Sequence, residues 1–201
     1  MENLYLIVGL GNPGAEYART RHNAGFLLVE QVASKWRTEW AIEKKFQSRL
    51  ARAERDGRRL VLCEPQTFMN ASGEAVGAVK DYFRVTAERL LVVVDDADLP
   101  LGELRLRGSG SSGGHHGLES VEAHLATREY PRLRIGIGRR DGAREITGYV
   151  LGQYSAADAE LLEKVLARAS EQVECWLACG LPKAMSQFNG AVDAPRKKEI
   201  E

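Results

Sequence analysis

Leu90-Leu-Val-Val-Val94 is the stretch that most narrows what this chain can fold into. It is five apolar residues long, three of them β-branched, with no polar residue on either face. A strand of that kind is buried on both sides, and it needs a layer of helices above the sheet and another below. Leu4 to Leu10 reads the same way. Ser48-Arg-Leu-Ala-Arg-Ala53 and Arg59-Leu-Val-Leu-Cys63 form two further strands, joined by Asp56-Gly57, a good hairpin turn. A hairpin brings antiparallel pairing, so the expected fold is α/β, a three-layer αβα sandwich around a central mixed twisted sheet. At 201 residues the chain suits one such domain. No linker or repeat divides it. The domain is expected to span 1–190, with 191–201 a charged, frayed tail.

Helices are expected from about Gly25 to Trp36, from Ser72 to Phe83 and from Leu118 to Leu125. Ser155-Ala-Ala-Asp158 is a capping box that opens the longest helix, and Gly180 and Pro182 stop it. A last turn is expected near Ala184 to Phe188. Leu104-Arg-Leu-Arg107 and Leu133 to Gly138 read as strands, and Glu39 to Lys45 as irregular.

The sequence has no apolar run long enough for a membrane span and no charged-apolar-small leader, so a cytoplasmic protein is expected. Cys63, Cys175 and Cys179 are an odd number without metal spacing, the last two being half-buried thiols four apart on a helix. Basic and acidic residues balance at 28 each. Their distribution is uneven. Eight arginines (105, 107, 128, 132, 134, 139, 140, 144) face four acids between Arg105 and Arg144, a local excess of four positive charges. That excess permits a phosphate-bearing partner.

The first strand runs into Gly9-Leu-Gly-Asn-Pro-Gly14, which matches the dinucleotide-binding spacing. Pro13 removes a backbone donor where a pyrophosphate would need one, and Thr20-Arg-His-Asn23 intervenes before the helix. The dinucleotide reading therefore fails. Instead, several strand ends deliver polar groups to one region. The first brings Asn12, His22 and Asn23, the second Phe68-Met69-Asn70, the third Asp95, and the glycine loop His115 and His116. A histidine with an aspartate at a buried strand end suggests a general base and its orienting carboxylate. Asparagine amides can hold a water or polarise a carbonyl without carrying charge. Gly110-Ser-Ser112-Gly-Gly114 satisfies the nucleophile-elbow spacing but lacks the tight strand-turn-helix setting. With no seryl or cysteinyl nucleophile, water is the attacker, and the residues alone describe a hydrolase.

Taken together, the blocks resemble the bacterial-type peptidyl-tRNA hydrolases. They are Val8 to Gly14, Tyr17, Thr20 to Gly25, Pro65 to Asn70 with Ser72-Gly73, Asp95 to Pro100, Gly113 to Leu118, Arg132 to Gly138 and Gly148 to Gly152. They keep the family's order and spacing nearly to Asn189. The resemblance implies hydrolysis of the ester between a peptide and the 3′ ribose of tRNA, without metal or cofactor, by a monomer. It makes His22 the base, Asp95 its orienting acid, and Asn12 the residue that tells a blocked amino group from a free one. Tyr17, Phe68, Met69 and Asn70 become contacts to the tRNA 3′ end or the peptide, with Asn23 in the same binding set. Arg105, Arg107 and Arg134 correspond to positions used towards tRNA phosphates.

Two positions depart from the family pattern. His116 stands where the family usually has an asparagine that holds substrate and water. Val94 stands where a histidine often precedes the aspartate. The competing reading is a non-catalytic RNA-binding protein on the same scaffold, which would have no need of a base with an orienting acid.

Overall fold

The structure, a computed structural model, describes residues 3–138 and 146–192, without the side chains of 146 and 147. β1 (Leu4–Gly9) lies at the centre of an eight-stranded sheet. On one side of it are β4 (Arg58–Pro65), β3 (Ser48–Arg55) and the edge strand β2 (Trp40–Glu43). On the other side come β5 (Leu90–Asp96), β7 (Arg132–Gly136), β6 (Glu103–Arg107) and the short β8 (Gly190–Ala191). The four strands β4, β1, β5 and β7 run parallel, and the remaining pairings are antiparallel, so the sheet is mixed as expected.

The buried runs behave as their composition requires. Leu91 and Val93 of β5 face one core, while Leu90, Val92 and Val94 face the other. The first core is covered by α1 (Ala24–Trp36) and α5 (Ala156–Cys179), the second by α2 (Ser72–Phe83) and α3 (His116–Leu125). Asp56 and Gly57 both take positive φ, 49° and 69°, as a two-residue hairpin with the sheet's twist demands. Ser155 caps α5 by accepting from the Asp158 N–H at 3.2 Å.

Three local readings need correction. Residues 40–43 are not irregular but form β2, which pairs with β3 from Trp40↔Ala51 to Glu43↔Ser48. The last turn is a full helix, α6 (Leu181–Phe188), because Pro182 sits in its first turn, where a missing N–H costs nothing. Cys179 is exposed rather than half-buried. A short helix unread in the sequence, α4 (Ile146–Val150), precedes α5. Beyond 190, Ala191 pairs with Glu103 and the Val192 N–H reaches the Gly102 carbonyl. The rest of the tail, 193–201, and Arg139, Arg140 and Arg144 of the basic cluster lie outside the described residues.

Helix α1, which follows β1, covers one face of the sheet, and α2, which follows β4, covers the other. Neighbouring parallel strands whose helices diverge in this way leave a crevice beyond their carboxyl ends. The glycine that ends β1 serves the packing beside it. A Cβ on Gly9 would fall on the carbonyl of Gly25, so two glycines let α1 lie against the strand.

Candidate active site

A cavity of about 400 Å³ opens at this crevice, and Asn12, His22, Phe68–Asn70, Asp95, His115 and His116 reach it from four segments of chain. His22 sits in a 3₁₀ turn (Arg21–Asn23) between the β1 loop and α1. Its Nδ1 lies 2.8 Å from Asp95 Oδ1. Asp95 is buried near the end of β5. The pair read from the sequence is therefore assembled.

The same oxygen has a second imidazole, which the sequence reading named in the loop but gave no role. His115 Nε2 lies 3.0 Å from Asp95 Oδ1. His115 is also the N-cap of α3, its Nδ1 accepting the Leu118 N–H at 3.3 Å. One ring nitrogen accepts a backbone hydrogen, so the other carries the proton and donates it to Asp95. With His22 donating from Nδ1, the His22 Nε2 lone pair is left for the cavity. Burial favours the neutral acid at Asp95, but His115 and then His22, by hydrogen bond and by charge when protonated, outweigh it and hold the carboxyl at about 2. The carboxylate form of Asp95 is therefore the favoured one.

The neighbouring histidine turns away. His116, the first residue of α3, is exposed at the cavity rim, and its Nδ1 lies 3.0 Å from Glu119 Oε2. The pattern His-His could not say which ring faces the carboxylate. The discriminating signal is the cap: the residue three before Leu118 must offer an acceptor to α3.

Asn12 and Asn23 divide their work. Asn23 is buried, its Oδ1 accepting the Asn12 N–H and its Nδ2 donating to the Asn12 carbonyl, both at 2.9 Å. It holds the loop and does not line the cavity. Asn12 Oδ1 accepts the Met69 N–H at 2.8 Å, tying the β1 loop to the β4 loop. That bond fixes the amide, and its NH₂ makes no hydrogen bond among the described residues. Met69 is buried beneath the floor, whereas Phe68 and Asn70 stand exposed on the rim. Tyr17 lies in a turn outside the cavity lining, its carbonyl accepting from Thr20.

Arg134 borders the cavity, 3.2 Å from Asp96 Oδ2, and donates to the Ser111 and Ser112 carbonyls. Arg105 and Arg107 are exposed on β6, paired in register with Arg134 and Arg132. Cross-strand partners share a face, so four arginines stand on one side of this strand pair. Arg132 is buried, held by Glu122 and by the Gly110 and Arg128 carbonyls. Ser112 is not among the cavity residues, which disposes of the elbow reading. Among the described residues, His22, Asp95 and His115 offer ligand atoms within 4.8 Å of one another. Both nitrogens already point at Asp95 Oδ1, so an ion there would have to displace both hydrogen bonds.

Comparison with known proteins gives matches over nearly the whole chain. The family model described as peptidyl-tRNA hydrolase matches residues 6–199. The peptidyl-tRNA hydrolase of Synechococcus sp. (strain JA-3-3Ab) is 50% identical over 186 residues, covering 92% of this chain and 83% of that protein. That of Gloeobacter violaceus is 48% identical over 186 residues, covering 92% and 94%. A crystal structure of peptidyl-tRNA hydrolase from Acinetobacter baumannii superposes with a TM-score of 0.89 at 37% identity, covering 95% of this chain and 97% of the other.

Proposed function

The chain belongs to the peptidyl-tRNA hydrolase family, and from that premise we propose how its cavity hydrolyses peptidyl-tRNA. His22 Nε2 takes a proton from a water molecule, and the oxygen attacks the ester carbonyl that joins the peptide to the 3′ ribose. Asp95 keeps the imidazole in the accepting tautomer and stabilises the imidazolium. The tetrahedral intermediate collapses, the 3′ oxygen leaves, and it takes back the proton from His22. Positioned base catalysis of this kind contributes about 10²–10⁴ in rate. An ester suits the equipment, since its alkoxide leaves more readily than an amine.

The NH₂ of Asn12 donates to the substrate beside the scissile carbonyl, where a peptide bond differs from a free ammonium. Phe68, Met69, Asn70 and His116 bound the space for the peptide and the tRNA 3′ end, with Tyr17 further out. Arg105, Arg107 and Arg134 meet the tRNA phosphates. No helix among the described residues is long and apolar enough to cross a membrane. The reading takes the protein as a cytoplasmic monomer built from one domain. The observation that carries the reading is the His22–Asp95 contact with Nε2 left to the cavity. The retained base and acid argue against a mere RNA binder.

The test is release of tRNA from an N-acetylaminoacyl-tRNA, with the unblocked aminoacyl-tRNA alongside, by the parent and by His22→Ala. Cleavage of the blocked substrate alone, lost in the variant, is expected. Full activity of His22→Ala would remove the base from this account.

A further inference from the structure

Arg21, next to the base, has no part in the chemistry above and is nevertheless buried with its charge. Its guanidinium lies 4.5 Å from the Tyr149 ring centroid and 5.3 Å from that of Tyr154, and Nη2 is 3.5 Å from Asp158 Oδ2. Its backbone N–H donates to the Gly152 carbonyl at 3.0 Å, and Thr20 bridges to Gln153. The segment gripped in this way, 149–154, carries Val150 and Leu151 in the cavity wall. Its other anchor is the Tyr149 hydroxyl, which donates to the Ile137 carbonyl at 2.8 Å.

An aliphatic side chain would fill this space without desolvating a cation. A planar cation does something an aliphatic chain does not. It lies against two tyrosine rings while its end meets an acid in the first turn of α5, so it sets direction as well as distance. His22 and Arg21 are consecutive, one held by Asp95 and the other by 149–158. The turn that presents the base therefore also fixes the wall beside it.

We propose that Arg21 is a positioning residue that registers the Val150–Leu151 wall against His22, and so governs how tightly the substrate is held. This rests on the reading of the cavity as the peptidyl-tRNA site. The wall touches substrate rather than the transferred proton, so losing the grip raises KM and leaves kcat and the acid limb of the pH profile in place.

Two variants break the grip differently. Arg21→Lys keeps the charge and loses the plane. Gly152→Ala keeps Arg21 but places a Cβ 2.9 Å from its Nη1. Each is expected to raise KM for N-acetylaminoacyl-tRNA about five- to tenfold with kcat within about twofold. Hydrogen exchange should quicken in 149–154 while β1 and β5 keep their protection. If Arg21→Lys does not fold, Gly152→Ala decides. Unchanged KM in the folded variants overturns the proposal. A displaced acid limb also overturns it, because Arg21 would then act on the base by charge. Exchange loosened throughout the domain overturns it as well. His22→Ala, run alongside, separates the readings. Its inactivity with unchanged KM in the wall variants defeats only the positioning role. Its full activity defeats the site assignment itself.

Discussion

Replacing Asp95 by asparagine tests whether His115 locks the tautomer of the base. Both imidazoles approach Oδ1, at 2.8 and 3.0 Å. An asparagine can place its carbonyl there and keep both bonds. Alternatively it can place its NH₂ there, inverting His22 so that Nε2 carries the hydrogen and can no longer accept one. The second arrangement sets a donor against the N–H of His115, which cannot become an acceptor while its Nδ1 receives the Leu118 N–H. Asp95→Asn should therefore keep the working tautomer and lose only the charge. The Asp95 carboxyl is held below its ordinary 3.8, at about 2, so the anion is the favoured form and supports an imidazolium formed at His22. Losing that charge while keeping the tautomer should cost about tenfold in rate. Asp95→Ala removes the acceptor too and should cost about 10²–10³. In a His115→Phe background the amide is free to turn, so adding Asp95→Asn should cost far more than in the parent. Single-turnover cleavage of N-acetylaminoacyl-tRNA by excess enzyme measures each step. If Asp95→Asn alone is as slow as Asp95→Ala, the lock does not exist.

Glu64 is buried on β4 beside Arg49, and burial, opposed by Arg49, pushes its carboxyl up to about 8 from an ordinary 4.5. Between those values the unfolded chain binds fewer protons than the folded one, so stability falls as pH rises. Glu64→Gln should raise Tm more at pH 8 than at pH 5, and an equal change at both would contradict the assignment. Arg105→Ala with Arg107→Ala should reduce the salt slope of tRNA binding by about 0.7–0.9 per lost contact. A slope that does not move takes both residues out of the interface. His116→Asn should leave cleavage intact with an altered pH–rate profile, since an imidazole that can charge is exchanged for an amide. A profile that superimposes on the parent's would make His116 a bystander.

What could be read without coordinates follows from how each feature is written in the chain. β1 and β5 are buried on both faces, and such strands announce themselves as unbroken apolar runs. Asp95 was legible because it stands at the end of such a strand, and His22 because it stands in the polar segment between such a strand and its helix. β2 was not, because an edge strand with Ala41 and Ile42 exposed has neither alternation nor a continuous run. The length of α6 was hidden by Pro182, which marks a helix start and a helix stop with the same letter. Asn23 shares its residue type with Asn12, and only the hydrogen bonds show that one supports the other. The choice between His115 and His116 turned on the cap of α3, a backbone geometry that adjacent identical residues cannot express.

Two rings on one carboxylate oxygen also decide where a proton can travel. In the proposed mechanism, once His22 has taken a hydrogen from water, its inner nitrogen and that of His115 already hold one each, and an acid held at about 2 does not relieve them. The interior is a dead end for charge. The hydrogen must leave through the face by which it arrived, where the departing ribose oxygen is waiting, so the base is obliged to serve as the acid of the same turnover.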